Sequence, residues 1–92
     1  MNDNCLDVLV VDDEKEYRQV YKTLLENQGY RVTTTGKADD LFEILKEKRI
    51  NLVLLDLMLS KTDGIKLLKS IKKKFGSIIE VILVTGYGSI ES

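Results

Sequence analysis

The sequence predicts an α/β fold, a doubly wound parallel sheet flanked by helices. Short apolar runs alternate along the chain with segments whose apolar residues recur at helical spacing, in the order strand–helix–strand–helix–strand–helix–strand. Runs separated in this way argue for parallel βαβ units, whose crossovers are nearly always right-handed. Three of the runs end in polar residues with usable chemistry, Asp12-Asp13, Asp56 and Thr85. The carboxyl edge of a doubly wound sheet, beside its topological switch point, is where functional groups collect.

Leu6 to Val11 (LDVLVV) is apolar with one polar interruption, short enough for a strand buried on both faces, and it stops abruptly at Asp12-Asp13-Glu14. Tyr17, Val20, Tyr21, Leu24 and Leu25 recur at i, i+3, i+4, i+7 and i+8, one apolar stripe on a helix that ends before Gly29. Tyr30 to Thr35 (YRVTTT) is β-branched and partly polar, the composition of an edge strand, and Gly36 closes it. The second helix carries Ala38, Leu41, Phe42 and Leu45 on one stripe, with Glu43, Lys46, Glu47 and Lys48 around the rest. Asn51 to Leu57 is a second buried strand. Ile65, Leu68, Ile71 and Phe75 mark a third helix that begins near Asp63-Gly64, with Thr62 or Asp63 as its cap, and stops by Gly76. Glu80 to Val84 (EVILV) is the fourth strand, and Thr85-Gly86-Tyr87-Gly88 is the turn after it.

Ninety-two residues make one domain at most. A chain of this size buries only roughly 60–65% of its unfolded surface, so its core must be economical or shared. Fourteen basic and fifteen acidic residues leave a net charge of −1, which gives no general drive toward nucleic acid or an anionic membrane. The lysines at 66, 69 and 73 form a stripe on the third helix, read as a solvated face rather than a nucleic-acid patch. Cys5 is alone and has no partner for an internal disulfide; it reads as a half-buried thiol. The N-terminal MNDNCLDVLV has neither a basic leader nor an apolar span of membrane length, so the expected setting is the cytoplasm. With no histidine, the chain can carry no phosphohistidine, no His-based triad and no His-ligated metal.

Asp56 is the most informative residue. Val53, Leu54 and Leu55 precede it and Leu57, Met58 and Leu59 follow it, and a carboxylate inside so apolar a run is costly unless something offsets its desolvation. Carboxylates gathered at neighbouring strand ends repel unless a cation neutralises them. Mg²⁺ suits oxygen donors and usually takes one or two carboxylates, which Asp13 and Asp56 can supply. A carboxylate beside Mg²⁺ can act as a nucleophile toward phosphorus, which makes Asp56 a candidate phosphoacceptor. Plainer readings stand beside these. Asp12-Asp13-Glu14 also suits the start of a helix, Asp56 a solvated strand end, Thr85-Gly86 an ordinary turn, and Tyr17 and Tyr21 simple packing with wet hydroxyls.

Taken together, Val10-Val11-Asp12-Asp13-Glu14, the Leu55-Asp56-Leu57-Met58 segment followed by Asp63-Gly64, and Val84-Thr85-Gly86 resemble the receiver domain of two-component response regulators, in order and spacing and over nearly the whole chain. The resemblance implies a flavodoxin-like sheet whose family order is 2-1-3-4-5. It implies Asp56 as phosphoacceptor and Asp13 as a direct Mg²⁺ ligand. Asp12 would be a ligand through water, the backbone carbonyl of Met58 a further ligand, and Thr85 the switch hydroxyl. The partner it implies is a sensor histidine kinase, with no direct nucleic acid and no membrane. The tail TGYGSIES further resembles receivers of the nitrogen-regulator type, which control enhancer-binding transcription factors.

Two departures from the family pattern shape the expectations. Ser60 stands where the family usually has Pro, and the chain stops at Ser92, before the family's fourth helix, fifth strand with its phosphoryl-pairing Lys, and fifth helix. The chain is therefore read as a single truncated receiver over residues 1–92, sheet order 2-1-3-4, impaired in phosphorylation and self-associating through an exposed fourth strand. Two functions compete on this reading. One is phosphoacceptor signalling; the other is a binding or assembly module that works without phosphorylation. A hydrolase with an aspartyl-phosphate intermediate is rejected, because the general acid it needs two residues after the nucleophile is replaced by Met58.

Overall fold

An unbroken aliphatic run, Val8 to Val11, suits a strand with both faces covered, and β1 (Asp7–Val11) lies inside the sheet with all four of these side chains buried. The computed structural model describes residues 5–56 and 64–84. After β1 come α1 (Lys15–Asn27), β2 (Arg31–Thr35), α2 (Ala38–Glu47), β3 (Leu52–Asp56), α3 (Gly64–Phe75), a short 3₁₀ turn (Gly76–Ile78) and β4 (Glu80–Val84). The four strands form one sheet in the order β2-β1-β3-β4, every neighbouring pair parallel. The predicted doubly wound α/β class and the order 2-1-3-4 are both present. Only the direction of winding changes at β1 and β3, and with right-handed crossovers that reversal puts α1 on one face and α2 and α3 on the other.

The core sits between the sheet and the second of those faces. Leu9 and Val11 of β1 and Val53 and Leu55 of β3 meet Leu41 and Leu45 of α2 and Leu67 and Ile71 of α3, closed by Ile50 and Ile79 at the strand starts. Alternation sends Val8 and Val10 to the α1 side, also buried. Asn51 sets the register of β3 on β1: its side-chain oxygen accepts from the Asp7 N–H at 2.9 Å, and its own N–H donates to the Asp7 carbonyl at 2.9 Å. Gly29 ends α1 in the left-handed region (φ 96°). Its N–H bonds the Glu26 carbonyl, and the Tyr30 N–H reaches back to Leu25, the Schellman pattern that stops a helix. The Cys5 thiol donates to the Gly29 carbonyl at 2.9 Å.

Helix faces differ from the predicted stripes in two places. No residue of α1 is fully buried: Tyr21 and Leu25 pack half-buried, while Val20 is 52% and Leu24 57% exposed. α1 lies over β2 and β1, so only part of its stripe meets the sheet, and among the described residues no second helix stands on that face to cover the rest. In α3 the inward residues are Gly64, Leu67 and Ile71, and Ile65 faces solvent. Leu67 and Leu68 are both leucine, so the pattern admits a stripe centred on either, and packing against β3 selects Leu67. Lys66, Lys69 and Lys73 are exposed, as expected of a solvated face, whereas Lys72 turns back to the Ile79 carbonyl at 2.7 Å.

On the solvent side, Arg31 of β2 clasps Asp7 of β1 through two bonds, 2.8 and 2.9 Å. This hydrogen-bonded partner holds the Asp7 carboxyl below its ordinary value of 3.8. A depressed folded-state value means stabilisation that is present above the ordinary value and is lost as pH falls through the folded one. Urea unfolding across the acid range should therefore show stability declining below that value, with Asp7→Asn flattening part of the decline. The contribution is small because the pair faces water.

Candidate functional site

β1 and β3 are adjacent and in register, Val11 opposite Leu55, so the next residue on each strand, Asp12 and Asp56, emerges at the same carboxyl edge. Asp13 follows immediately. Asp12, Asp13 and Asp56 each place a carboxylate oxygen within 4.8 Å of the others. Asp12 and Asp56 are buried, 4% and 6% exposed, and Asp13 is exposed. The acid inside the apolar run is thus a strand-end carboxylate with two others beside it.

The local chain holds Asp12 at three points. Its N–H donates to the Thr35 carbonyl at 3.1 Å, which adds one rung to the β1–β2 ladder. Its Oδ1 accepts from the Glu14 N–H at 2.9 Å, a turn that carries the chain into α1. Its carbonyl accepts from Arg18 Nη1 at 2.8 Å. On the neighbouring strand end, Thr35 Oγ1 accepts from the Lys37 N–H at 3.2 Å and turns β2 into α2.

Burial pushes the Asp12 carboxyl up, the Glu14 N–H opposes this, and the negative charges of Asp56, Asp13 and Glu14 add to it. The field reaches α1: burial, then the charges of Asp12 and Asp56, raise the Tyr21 hydroxyl. An anionic edge of this kind favours a cation. Of the predicted site residues, the structure brings together Asp12, Asp13 and Asp56; Met58 and Thr85 lie outside the described residues, as do Ser60, the caps Thr62 and Asp63, and the tail TGYGSIES. Sequence reasoning missed Arg18, whose role depends on a contact across the turn, and took Tyr21 for packing alone.

Residues 8–92 match the response regulator receiver domain. The chain belongs to that family. Among the receiver's relatives, a putative response regulator NtrX-like from Rickettsia bellii is 35% identical over 89 residues, covering 95% of this chain and 18% of the relative. The transcriptional regulatory protein ZraR of Klebsiella oxytoca is 36% identical over 92 residues, all of this chain and 20% of that protein. The receiver thus spans about a fifth of the length of these curated relatives. NtrX from Brucella abortus, solved in complex with ADP, superposes with a TM-score of 0.83 at 32% identity over 91% of this chain and 19% of its own. The MaeR response regulator bound to beryllium trifluoride superposes with a TM-score of 0.80 at 26% identity, covering 91% of this chain and 70% of that one. No helix among the described residues is long and apolar enough to cross a membrane.

Proposed function

We propose that this receiver is a phosphoacceptor module of a two-component system, in which Asp56 takes a phosphoryl group from a phosphohistidine of its sensor kinase. The observation that carries the reading is the buried Asp56 at the end of β3 with Asp12 and Asp13 within 4.8 Å. An Asp56 oxygen attacks phosphorus, the phosphorus–nitrogen bond breaks, and the imidazole leaves with a proton. The strand holds the Asp56 carboxylate at the sheet edge.

The residues present fit Mg²⁺. Oxygens on one octahedral Mg²⁺ are about 3 Å apart when adjacent and about 4 Å apart when opposite. A donor set within 4.8 Å meets this with small adjustments, or with one residue acting through water. Asp13, Asp56 and the Met58 carbonyl would hold the ion directly and Asp12 through water, with Thr85 receiving the phosphoryl oxygens. Bound there, Mg²⁺ supplies positive charge against the carboxylates and the incoming phosphoryl oxygens. Support also comes from MaeR, a structural relative bound to beryllium trifluoride. The ZraR relative is a transcriptional regulatory protein, which supports transcription regulation as the output; the setting that goes with this reading is the cytoplasm.

The test is the intact mass of the chain after incubation with a small-molecule phosphoryl donor, with and without Mg²⁺. An adduct that forms only with Mg²⁺ is expected; no adduct under either condition overturns the reading. One observation favours a second function, assembly without phosphorylation. Among the described residues β4 is a sheet edge, and its Ile82 is 48% exposed. This edge would pair with β4 of a second copy. A light-scattering mass of one chain at micromolar concentration would exclude it.

A further inference from the structure

We infer that Arg18 is a positioning residue for the acidic site, a clamp on the main chain of Asp12 that depends on residue 36 being glycine. The inference rests on the reading of the cluster as a Mg²⁺ site. Two independent observations meet at one guanidinium. Arg18 Nη1 donates to the Asp12 carbonyl at 2.8 Å. The same group also lies over Gly36, where an added Cβ would come within 2.6 Å of Nη1 and 3.3 Å of Cζ.

The geometry explains why the clamp bears on the site. The Asp12 carbonyl and the Asp13 N–H belong to one rigid peptide plane, so fixing the carbonyl fixes the orientation in which Asp13 leaves Asp12. The other end of Asp12 is already fixed by the Thr35 carbonyl, and its side chain by the Glu14 N–H. Arg18 supplies the remaining constraint with a charged donor, which bonds more strongly than a neutral one. It reaches back from the first turns of α1 to do so, and β2 delivers Gly36 to the same point because Val11 pairs with Thr35.

Gly36 leaves room for this and for little else. Apart from Arg18, the nearest atom an added Cβ would meet is the Asp12 carbonyl oxygen at 3.5 Å, an ordinary contact. A methyl group at 36 is thus in ordinary contact with the backbone around it, and only the guanidinium end of Arg18 must move to admit it. The clamp can therefore be broken from either side, by removing the donor or by crowding it away.

The test is a double-mutant cycle on Arg18→Met and Gly36→Ala, read as Mg²⁺ affinity by calorimetric titration and as the amide ¹⁵N shift of Asp13 in the metal-free chain. Each single change should weaken Mg²⁺ by about tenfold, the lower end for residues that orient metal ligands. In the Arg18→Met background, Gly36→Ala should have no further effect, since the atoms it would strike are gone. A purely structural role for either residue predicts additive losses instead, and additive losses overturn the inference, as does unchanged affinity in Arg18→Met. If the parent chain binds no Mg²⁺, the metal reading fails, and the shift still decides the clamp. Arg18→Met must move the Asp13 signal, and Gly36→Ala must move it only while Arg18 is present; any other pattern overturns the inference.

Discussion

Asp56→Asn is expected to abolish phosphoryl incorporation completely while leaving the metal-free chain as stable as the parent, or more so. The amide has nearly the shape of the carboxylate and lacks its nucleophilic anion, so chemistry is lost and packing is kept. Three carboxylates within 4.8 Å, two of them buried, repel one another when no cation is present. Neutralising one relieves Asp12, whose carboxyl is pushed up by burial and then by Asp56 among other charges. The expected gain is between zero and about 1 kcal/mol, less than the bare Coulomb repulsion because neighbouring groups and water already screen it. Intact mass after donor treatment checks the first half and urea unfolding without Mg²⁺ the second. A loss of several kcal/mol would show Asp56 to be a structural acid bound to a partner that the change deprives.

Leu9→Ala is expected to bring the chain close to unfolding. Leu9 is wholly buried in a central strand and belongs to the cluster closed by α2 and α3. Truncations of this kind cost about 2–5 kcal/mol, through lost transfer energy and the cavity left behind. A domain of this length has only about 5–14 kcal/mol in total. Leu24→Ala is the matched control: the same change on α1, where the side chain is 57% exposed, should cost no more than about 0.5 kcal/mol. Circular dichroism in urea separates the two variants directly. Equal losses would mean that the outer stripe of α1 is covered in solution.

The contrast between these leucines marks what was legible beforehand. The elements stood out because their periods differ: a solid aliphatic run at Val8–Val11, spacing of three and four along all three helices, and glycines at 29 and 76 where the backbone turns left-handed. The acidic site was legible for a related reason. A parallel sheet sends every strand's carboxyl end to one edge, so Asp12, Asp13 and Asp56 had to converge once the strands were placed. Periodicity identifies an apolar face without saying what stands opposite it, and so Val20 and Leu24 looked like core. In α3 the adjacent leucines at 67 and 68 left the stripe's centre open by one residue. Arg18 was invisible for a third reason. In a charged helix it reads as solvated, whereas the turn from β1 into α1 brings the Asp12 carbonyl to it and the β1–β2 register brings Gly36.

The parallel register carries a consequence for how the chain is made. β1 has no hairpin partner: its neighbours across the ladder are 24 and 44 residues further along, as the Asp7–Arg31 and Asp7–Asn51 contacts show. Ribosomes add about 5–20 residues per second, so the second of these partners emerges roughly 2–9 s after β1 itself. During that interval an unbroken aliphatic tetrapeptide, Val8 to Val11, has one edge or both unpaired. A nascent receiver thus passes through a window in which holdase chaperones, rather than its own sheet, are the natural cover for β1.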